Sequence, residues 1–181
     1  MTKKDPAPVR IGVISDTHGY LDPQVLDEFA GVDHIIHAGD IMDAATLGSL
    51  ERIAPVTAVA GNMDDGKLGK LPREILVEIG GVRVVIGHKR KRLVKRLTLG
   101  KIEGLGPAAE PGLIVFGHDH LPSVAWVEGV LYLDPGSASA PHEEDDDPTV
   151  AIVETGAAGL NVRFVPLRRR GEDAGEGASP S

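Results

Sequence analysis

The sequence predicts an α/β fold in which two β-sheets pack together with helices outside. Three observations lead there. The first third of the chain alternates short β-branched runs with helical spacing. The remainder is dominated by short strands joined by Gly-containing links. Most of the apolar runs that begin these units end in a motif built from Asp, His, Asn and Gly.

Taken in order, Val9 to Ile14 is an apolar run that reads as a buried strand. Pro23 to Ala30 carries helical spacing behind Asp22, which is suited to cap the helix, with Pro at its first turn. His34 to His37 is the second strand, Ala44 to Ile53 the second helix and Val56 to Ala60 the third strand. Strand, helix, strand, helix, strand implies a parallel sheet with right-handed crossovers. Ligands of such sheets gather beyond the carboxyl ends of the strands, where Asp16, Asp40 and Asn62 fall.

Further on, Glu74 to Ile79 and Arg83 to Ile86 form a hairpin through Gly80-Gly81. Lys89 to Ile102 reads as a helix and Leu113 to Phe116 as a buried strand. Strands follow at Val124 to Val127, Val130 to Leu133, Thr149 to Glu154 and Asn161 to Val165. Glu128-Gly129 and Gly156 to Gly159 are hairpin-like links. These strands are expected to make a second, mostly antiparallel sheet. Trp126, the only Trp, is expected to pack, and the acidic run Glu143 to Asp147 to form a surface loop.

The chain has 181 residues and a net charge of −8. The length suits one domain with a sizeable core, organised as an N-terminal extension (1–8), a folded domain (9–167) and a disordered tail (168–181). The negative charge excludes a general nucleic-acid-coating protein, which needs surplus Lys and Arg. Without cysteine there are neither disulfides nor thiolate ligands. No segment has the length of a signal peptide or membrane span, so no membrane association and a cytoplasmic location are expected.

The chemistry lies in five motifs: Asp16-Thr17-His18, Gly39-Asp40, Gly61-Asn62, Gly87-His88 and Gly117-His118-Asp119-His120. Asp16, His18, Asp40, Asn62, His88, His118 and His120 are all groups that bind divalent metals. Seven ligands with one carboxylate shared would fill two neighbouring sites, which points to hydrolysis of a phosphate ester. Oxygen and imidazole donors suit Mn, Fe, Ni, Co or Zn. The glycines are expected to serve the tight turns that place their neighbours.

The motifs D-x-H, GD, GN, GH and GHxH, in this order, resemble those of the calcineurin-like metallophosphoesterases, within them the small single-domain bacterial and archaeal phosphodiesterases. Asp134-Pro135-Gly136-Ser137, followed by Pro141, is similar to the N-P-G-S…P-R segment of that branch. The resemblance implies a four-layer α-β-β-α sandwich of two mixed sheets flanked by helices. It implies one metal held by Asp16, His18, Asp40 and His120, and another by Asp40, Asn62, His88 and His118, with Asp40 bridging. Asp40, Asn62 and His88 would then act catalytically through the metals, of which Mn is the first expectation. Two divalent ions, two Asp and one hydroxide leave a net charge of about +1, which attracts an anionic ester for in-line attack by the hydroxide.

His37 and Asp119 are expected to support the ligands, and Asp43 or Asp64 could also orient an imidazole. His34 and His142 belong to no motif, and Asp64 with Asp65 reads as a turn before Gly66. Two departures stand out. Met63 occupies the position where many members of the superfamily carry a His that can protonate the leaving group or hold the phosphate; general acid catalysis contributes roughly 10²–10⁴-fold, so esters with good leaving groups are favoured. Lys89-Arg90-Lys91-Arg92, with Lys95 and Arg96, follows His88 where the branch often has Gly. It reads as a solvated helix face; the alternative is that it holds additional phosphates or a nucleotide backbone, the only hint of nucleic acid.

The expected function is therefore a metal-dependent phosphodiesterase on a small phosphate ester. The alternatives are a phosphomonoesterase on a small metabolite, or a non-catalytic scaffold of the same fold, as some relatives are. A sheet edge could pair two copies into a homodimer.

Overall fold

The structure, a computed structural model, describes residues 7–64, 66, 68–105, 110–140, 146–157 and 159–168. Pro141, His142, most of the acidic run and all of the tail beyond Arg168 lie outside these. The elements are β1 (Arg10–Ile14), α1 (Pro23–Glu28), β2 (His34–His37), α2 (Ala44–Glu51), β3 (Val56–Ala58), β4 (Glu74–Ile79), β5 (Val82–Lys89), α3 (Arg90–Thr98), β6 (Leu113–Gly117), β7 (Ser123–Val127), β8 (Val130–Asp134), β9 (Thr149–Gly156) and β10 (Gly159–Pro166).

Two five-stranded sheets have the orders β10-β9-β1-β2-β3 and β4-β5-β6-β8-β7. Side chains alternate across each strand, and both faces of the central strands are covered. Ile11, Val13, Ala151 and Val153 of the first sheet join Val84, Ile86, Leu113, Val115, Leu131 and Leu133 of the second in the inter-sheet core. The opposite face of the first sheet (Ile14, Ile35, Val150, Ile152) packs on Val25, Phe29 and Leu50 of the α1 and α2 region. That of the second (Val85, Ile114, Phe116) packs on Leu93 of α3 and on Ile102. This is the four-layer α-β-β-α arrangement. Gly12 of β1 gives Phe29 room: a Cβ there would lie 2.9 Å from the ring.

Local signals explain the helix ends. Asp22 caps α1, accepting from Gln24 N at 2.9 Å, with Pro23 in the first turn. α3 stops at Thr98 rather than Ile102 because Gly100, at φ 60°, closes a Schellman motif: its N–H donates to Leu97 O and that of Lys101 to Arg96 O. Gly80-Gly81 and Glu128-Gly129 turn with positive φ at both residues, as type I′ hairpin turns require.

Three expectations are corrected. The second sheet is mixed rather than mostly antiparallel, because β6 pairs in parallel with both β5 and β8. β9 and β10 return to the first sheet, where β9 pairs antiparallel with β1. Trp126 does not pack; it is 58% exposed on β7, an edge strand exposed along its whole length.

Candidate metal centre

The first sheet delivers its site residues just past its parallel strands. Asp16 follows β1, Asp40 follows β2, and Asn62 stands in the loop after β3. The loops behind β1 and β2 continue the parallel ladder: Asp16 N donates to Gly39 O, His18 N to Asp40 O and Gly19 N to Ile41 O. The second sheet supplies His88 from the last turn of β5, beside a register irregularity, and His118 and His120 from the loop after β6.

Two clusters result, Asp16 with His18 and His120, and Asp40 with His88 and His118; within each, ligand atoms lie within 4.8 Å of one another. They adjoin, since His88 Nε2 is 3.3 Å from Asp40 Oδ2 and 4.0 Å from Asp16 Oδ1. Asn62 lines the same cavity as His88. The structure thus brings together the six charged or imidazole residues singled out from the sequence, with Asn62 beside them.

The backbone is strained to achieve this. Asp16, His18, Asp40, His118 and His120 all adopt positive φ, between 46° and 81°. Left-handed backbone is uncommon outside glycine and costs of order 1–3 kcal/mol per residue. Five such residues in two adjoining clusters mark a site whose geometry was kept despite its effect on stability.

The atoms at the centre fit a bound cation. His88 Nδ1 donates to Ala38 O at 2.9 Å, so the lone pair of neutral His88 lies on Nε2, facing two carboxylates. His88 Nε2 and Asp16 Oδ1 are buried and make no well-formed hydrogen bond. His18 Nε2 and His120 Nε2 face each other at 3.2 Å, which needs a proton or a cation between them. His120 Nε2 is 3.3 Å from Asp16 Oδ1. Such convergence of lone pairs is unfavourable unless positive charge fills the space.

Protonation reports the same field. Burial would raise the Asp16 carboxyl, but the contact with His120 and the charge of His88 outweigh it and hold the group below the usual range. Asp40 is brought to about 2 against the effect of burial, by His88 and the Met63 N–H. His88 is raised despite burial by Asp40 and Asp16, and His120 is raised mainly by Asp16. His118 is lowered by burial, then by the charges of Lys89 and His88.

Supporting groups hold this geometry. His37 is fully buried; its Nδ1 accepts from Gly39 N at 3.3 Å, so Nε2 carries the proton and donates to Thr17 Oγ1 at 3.1 Å. Thr17 donates onward to Ile41 O. Burial pushes His37 down to about 4, which keeps it neutral. Asp119 is exposed and acts on His118 through its charge. Asp43 orients no imidazole; it caps α2 through Ala45 N. Asp64 is not a simple turn residue. It is buried and accepts from Met42 N at 2.7 Å and Gly61 N at 2.8 Å, tying the two ligand loops together. Met63 has an exposed side chain, and its N–H holds Asp40 Oδ1 at 2.8 Å.

Ser137 and Ser139 were not foreseen in this role. Both hydroxyls donate to Asp16 O, at 2.9 and 3.0 Å; the Asp134-Pro135-Gly136-Ser137 motif was the available signal. The glycines act chiefly by permitting close approach. A Cβ on Gly61 would stand 2.0 Å from Asp40 Oδ1, and one on Gly117 2.0 Å from Ser15 Oγ. His34 pairs with Thr57, away from the cluster.

A sequence profile of the calcineurin-like phosphoesterase superfamily domain matches residues 9–158. A probable metallophosphoesterase of Methanocaldococcus jannaschii is 40% identical over 142 residues, covering 72% of this chain and 69% of that protein. Among solved structures, an archaeal phosphodiesterase superposes with a TM-score of 0.70 at 22% identity, over 88% of this chain and 100% of that one. Vacuolar protein sorting 29 from Cryptosporidium parvum superposes with a TM-score of 0.65 at 18% identity, over 90% and 99%.

Proposed function

The chain belongs to the calcineurin-like phosphoesterase superfamily, and on that premise we propose that it is a two-metal phosphodiesterase. The observation that carries this reading is the inward convergence of Asp16 Oδ1 and His88 Nε2, buried and without hydrogen-bond partners, between two adjoining ligand clusters. Asp16, His18 and His120 would hold one ion and Asn62, His88 and His118 the other, with Asp40 shared. Mn is the first candidate for this oxygen and imidazole donor set. Divalent ions there supply positive charge that lowers the pKa of water to near neutrality and stabilises charge on phosphate oxygens.

The chain's own residues set the rest. Two carboxylates leave the loaded site net positive, so an anionic ester is drawn in. His37 and Asp64 keep the ligand loops in register without touching the ester. Met63 offers Asp40 a backbone N–H but has no side-chain proton for a leaving group. Esters whose leaving groups depart as stable anions are therefore preferred, which favours aryl diesters over alkyl monoesters. Introducing Met63→His and comparing phenyl with alkyl esters tests this; unchanged rates on both would refute it.

The decisive assay is hydrolysis of bis-p-nitrophenyl phosphate against p-nitrophenyl phosphate, in Mn²⁺ and in chelator, with Asp40→Ala as control. Metal-dependent turnover favouring the diester and lost in the variant is the expected result. Faster turnover of the monoester would instead make it a phosphomonoesterase. A second reading, a non-catalytic interaction protein, draws on the exposed Leu121, Val124, Trp126 and Val127 around β7. It predicts folded protein that is inactive with every metal offered.

A further inference from the structure

Two residues of the basic segment after His88 line a cavity. A space of about 300 Å³ is lined by Asn62 and His88 together with Arg73, Glu74, Lys89 and Arg92. Among the described residues that line it, three are cationic and one is a carboxylate. Glu74 is also engaged elsewhere: its Oε1 accepts from Arg92 Nε at 2.7 Å and forms an ion pair with Arg96, whose Nε lies 3.1 Å away. The pairing neutralises Glu74 and leaves the remaining guanidinium N–H groups of Arg92 for another acceptor.

The helix beside the cavity is charged the wrong way round. α3 begins at Arg90 behind Lys89, no side chain among the described residues caps it, and its first turn contains no acidic residue. Lys89, Arg90, Lys91 and Arg92 crowd the positive end of the helix dipole, where cations are disfavoured and anions favoured. A violated local rule at a site is resolved when a ligand supplies the missing charge. His88, buried and with Nε2 unpartnered, ties this cavity directly to the ligand cluster.

We infer that this cavity is a second anion site, which receives a phosphate group carried on the non-reacting arm of the ester. The substrate class is then a phosphodiester that bears a further phosphomonoester, with the reacting phosphorus at the ligand clusters and the second phosphate against Lys89, Arg92 and the start of α3. Arg73 stays with Gly61 O through Nη1 at 2.9 Å and adds its charge to the wall. This inference rests on the phosphodiesterase reading for its reaction, but not for its anion site.

The test uses the full chain and two readouts. In the first, the Mn²⁺-loaded protein hydrolyses the p-nitrophenyl ester of thymidine 5′-phosphate and the same ester bearing a 3′-phosphate. The 3′-phosphorylated ester is expected to have the higher kcat/KM by about tenfold or more, the effect of one or two charge-assisted hydrogen bonds. Lys89→Gln with Arg92→Gln should erase that preference while leaving bis-p-nitrophenyl phosphate turnover within about threefold. In the second, chelator-treated protein is titrated with inorganic pyrophosphate and followed by amide NMR. Shifts should centre on Asn62, Lys89 and the first turn of α3, and vanish in the double variant. Turnover of bis-p-nitrophenyl phosphate without any preference between the thymidine esters overturns the anion site and leaves the reaction standing. Pyrophosphate shifts in a protein that hydrolyses no ester sustain the anion site and overturn the reaction. Shifts that survive the double variant overturn the placement at Lys89 and Arg92.

Discussion

Asp64 touches none of the ligand atoms, yet its removal should weaken metal binding. Its two oxygens accept from Gly61 N and Met42 N, joining the loops that carry Asn62 and Asp40. A hydrogen bond to a charged acceptor contributes about 1.5–3 kcal/mol. The Gly61 amide is buried and cannot exchange its partner for water, whereas the Met42 bond is only partly buried. Asp64→Asn keeps one oxygen, which the Gly61 amide will take, so it should lose about 2 kcal/mol. Asp64→Ala loses both bonds and should lose about 3–4 kcal/mol. At roughly 2–4 °C per kcal/mol for a chain of this size, Tm falls by about 4–8 °C and 6–16 °C respectively. Groups supporting metal ligands typically alter metal affinity by about 10–100-fold, and calorimetric titration with Mn²⁺ should show that loss in Asp64→Ala. Asp43→Ala serves as control: it removes the α2 cap at a cost of about 1 kcal/mol and leaves metal affinity unchanged. An Asp64→Ala protein with wild-type Tm and wild-type Mn²⁺ affinity would refute the reasoning.

His37 should make the fold acid-sensitive in a defined window. Its pKa falls from 6.5 to about 4 on folding, so the unfolded chain takes up a proton that the folded chain refuses. The stability this confers is complete above pH 6.5 and declines by about 3 kcal/mol as pH falls through 4. Urea unfolding across that range should show the slope, and His37→Asn should flatten it; equal slopes would exclude His37 as the source. Metal binding should run the other way at His88 and His120, both raised above 6.5 in the metal-free fold. Protonated, they stabilise the empty fold at low pH, and this contribution is lost as pH rises through their pKa values. Mn²⁺ must displace those protons, so its affinity should drop on acidification, with proton release measurable by titration in buffers of different ionisation enthalpy. Gly117→Ala and Gly48→Ala should shift Tm in opposite directions. The first drives a Cβ to 2.0 Å from Ser15 Oγ and 2.6 Å from Asp16 Oδ2, costing about 1–3 kcal/mol. The second meets open space within α2 and gains up to about 1 kcal/mol of helix propensity.

What the sequence made legible follows from where its information is local. Asp16, Asp40 and His118 could be placed together because strand ends, Gly and metal-binding side chains coincide within a few residues. The caps and hairpin turns at Asp22, Gly80-Gly81 and Glu128-Gly129 were readable for the same reason. The partners of β9 were not readable. Thr149 to Gly156 is apolar on both faces and would suit the middle of either sheet; only the register opposite β1 decides. Trp126 was misplaced because an apolar strand says nothing about whether a neighbour covers it. Asp64 was misread because a carboxylate followed by Gly looks like a turn from sequence alone. Its role depends on Met42, which lies more than a loop away along the chain.

The return of β9 to pair with β1 has a consequence for the order in which this protein can be made. Ile11 faces Val153 across that ladder, so β1 waits for a strand that is synthesised only after β2 to β8. Until then β1 has one open edge, and Ser15, whose carbonyl accepts from Ala138 N, also lacks its anchor. Pairings of such long sequence separation form slowly. On the ribosome, β4 to β8 can assemble their sheet while the first sheet is still incomplete. The half of the centre that carries the carboxylates is therefore completed only when β9 takes its place beside β1.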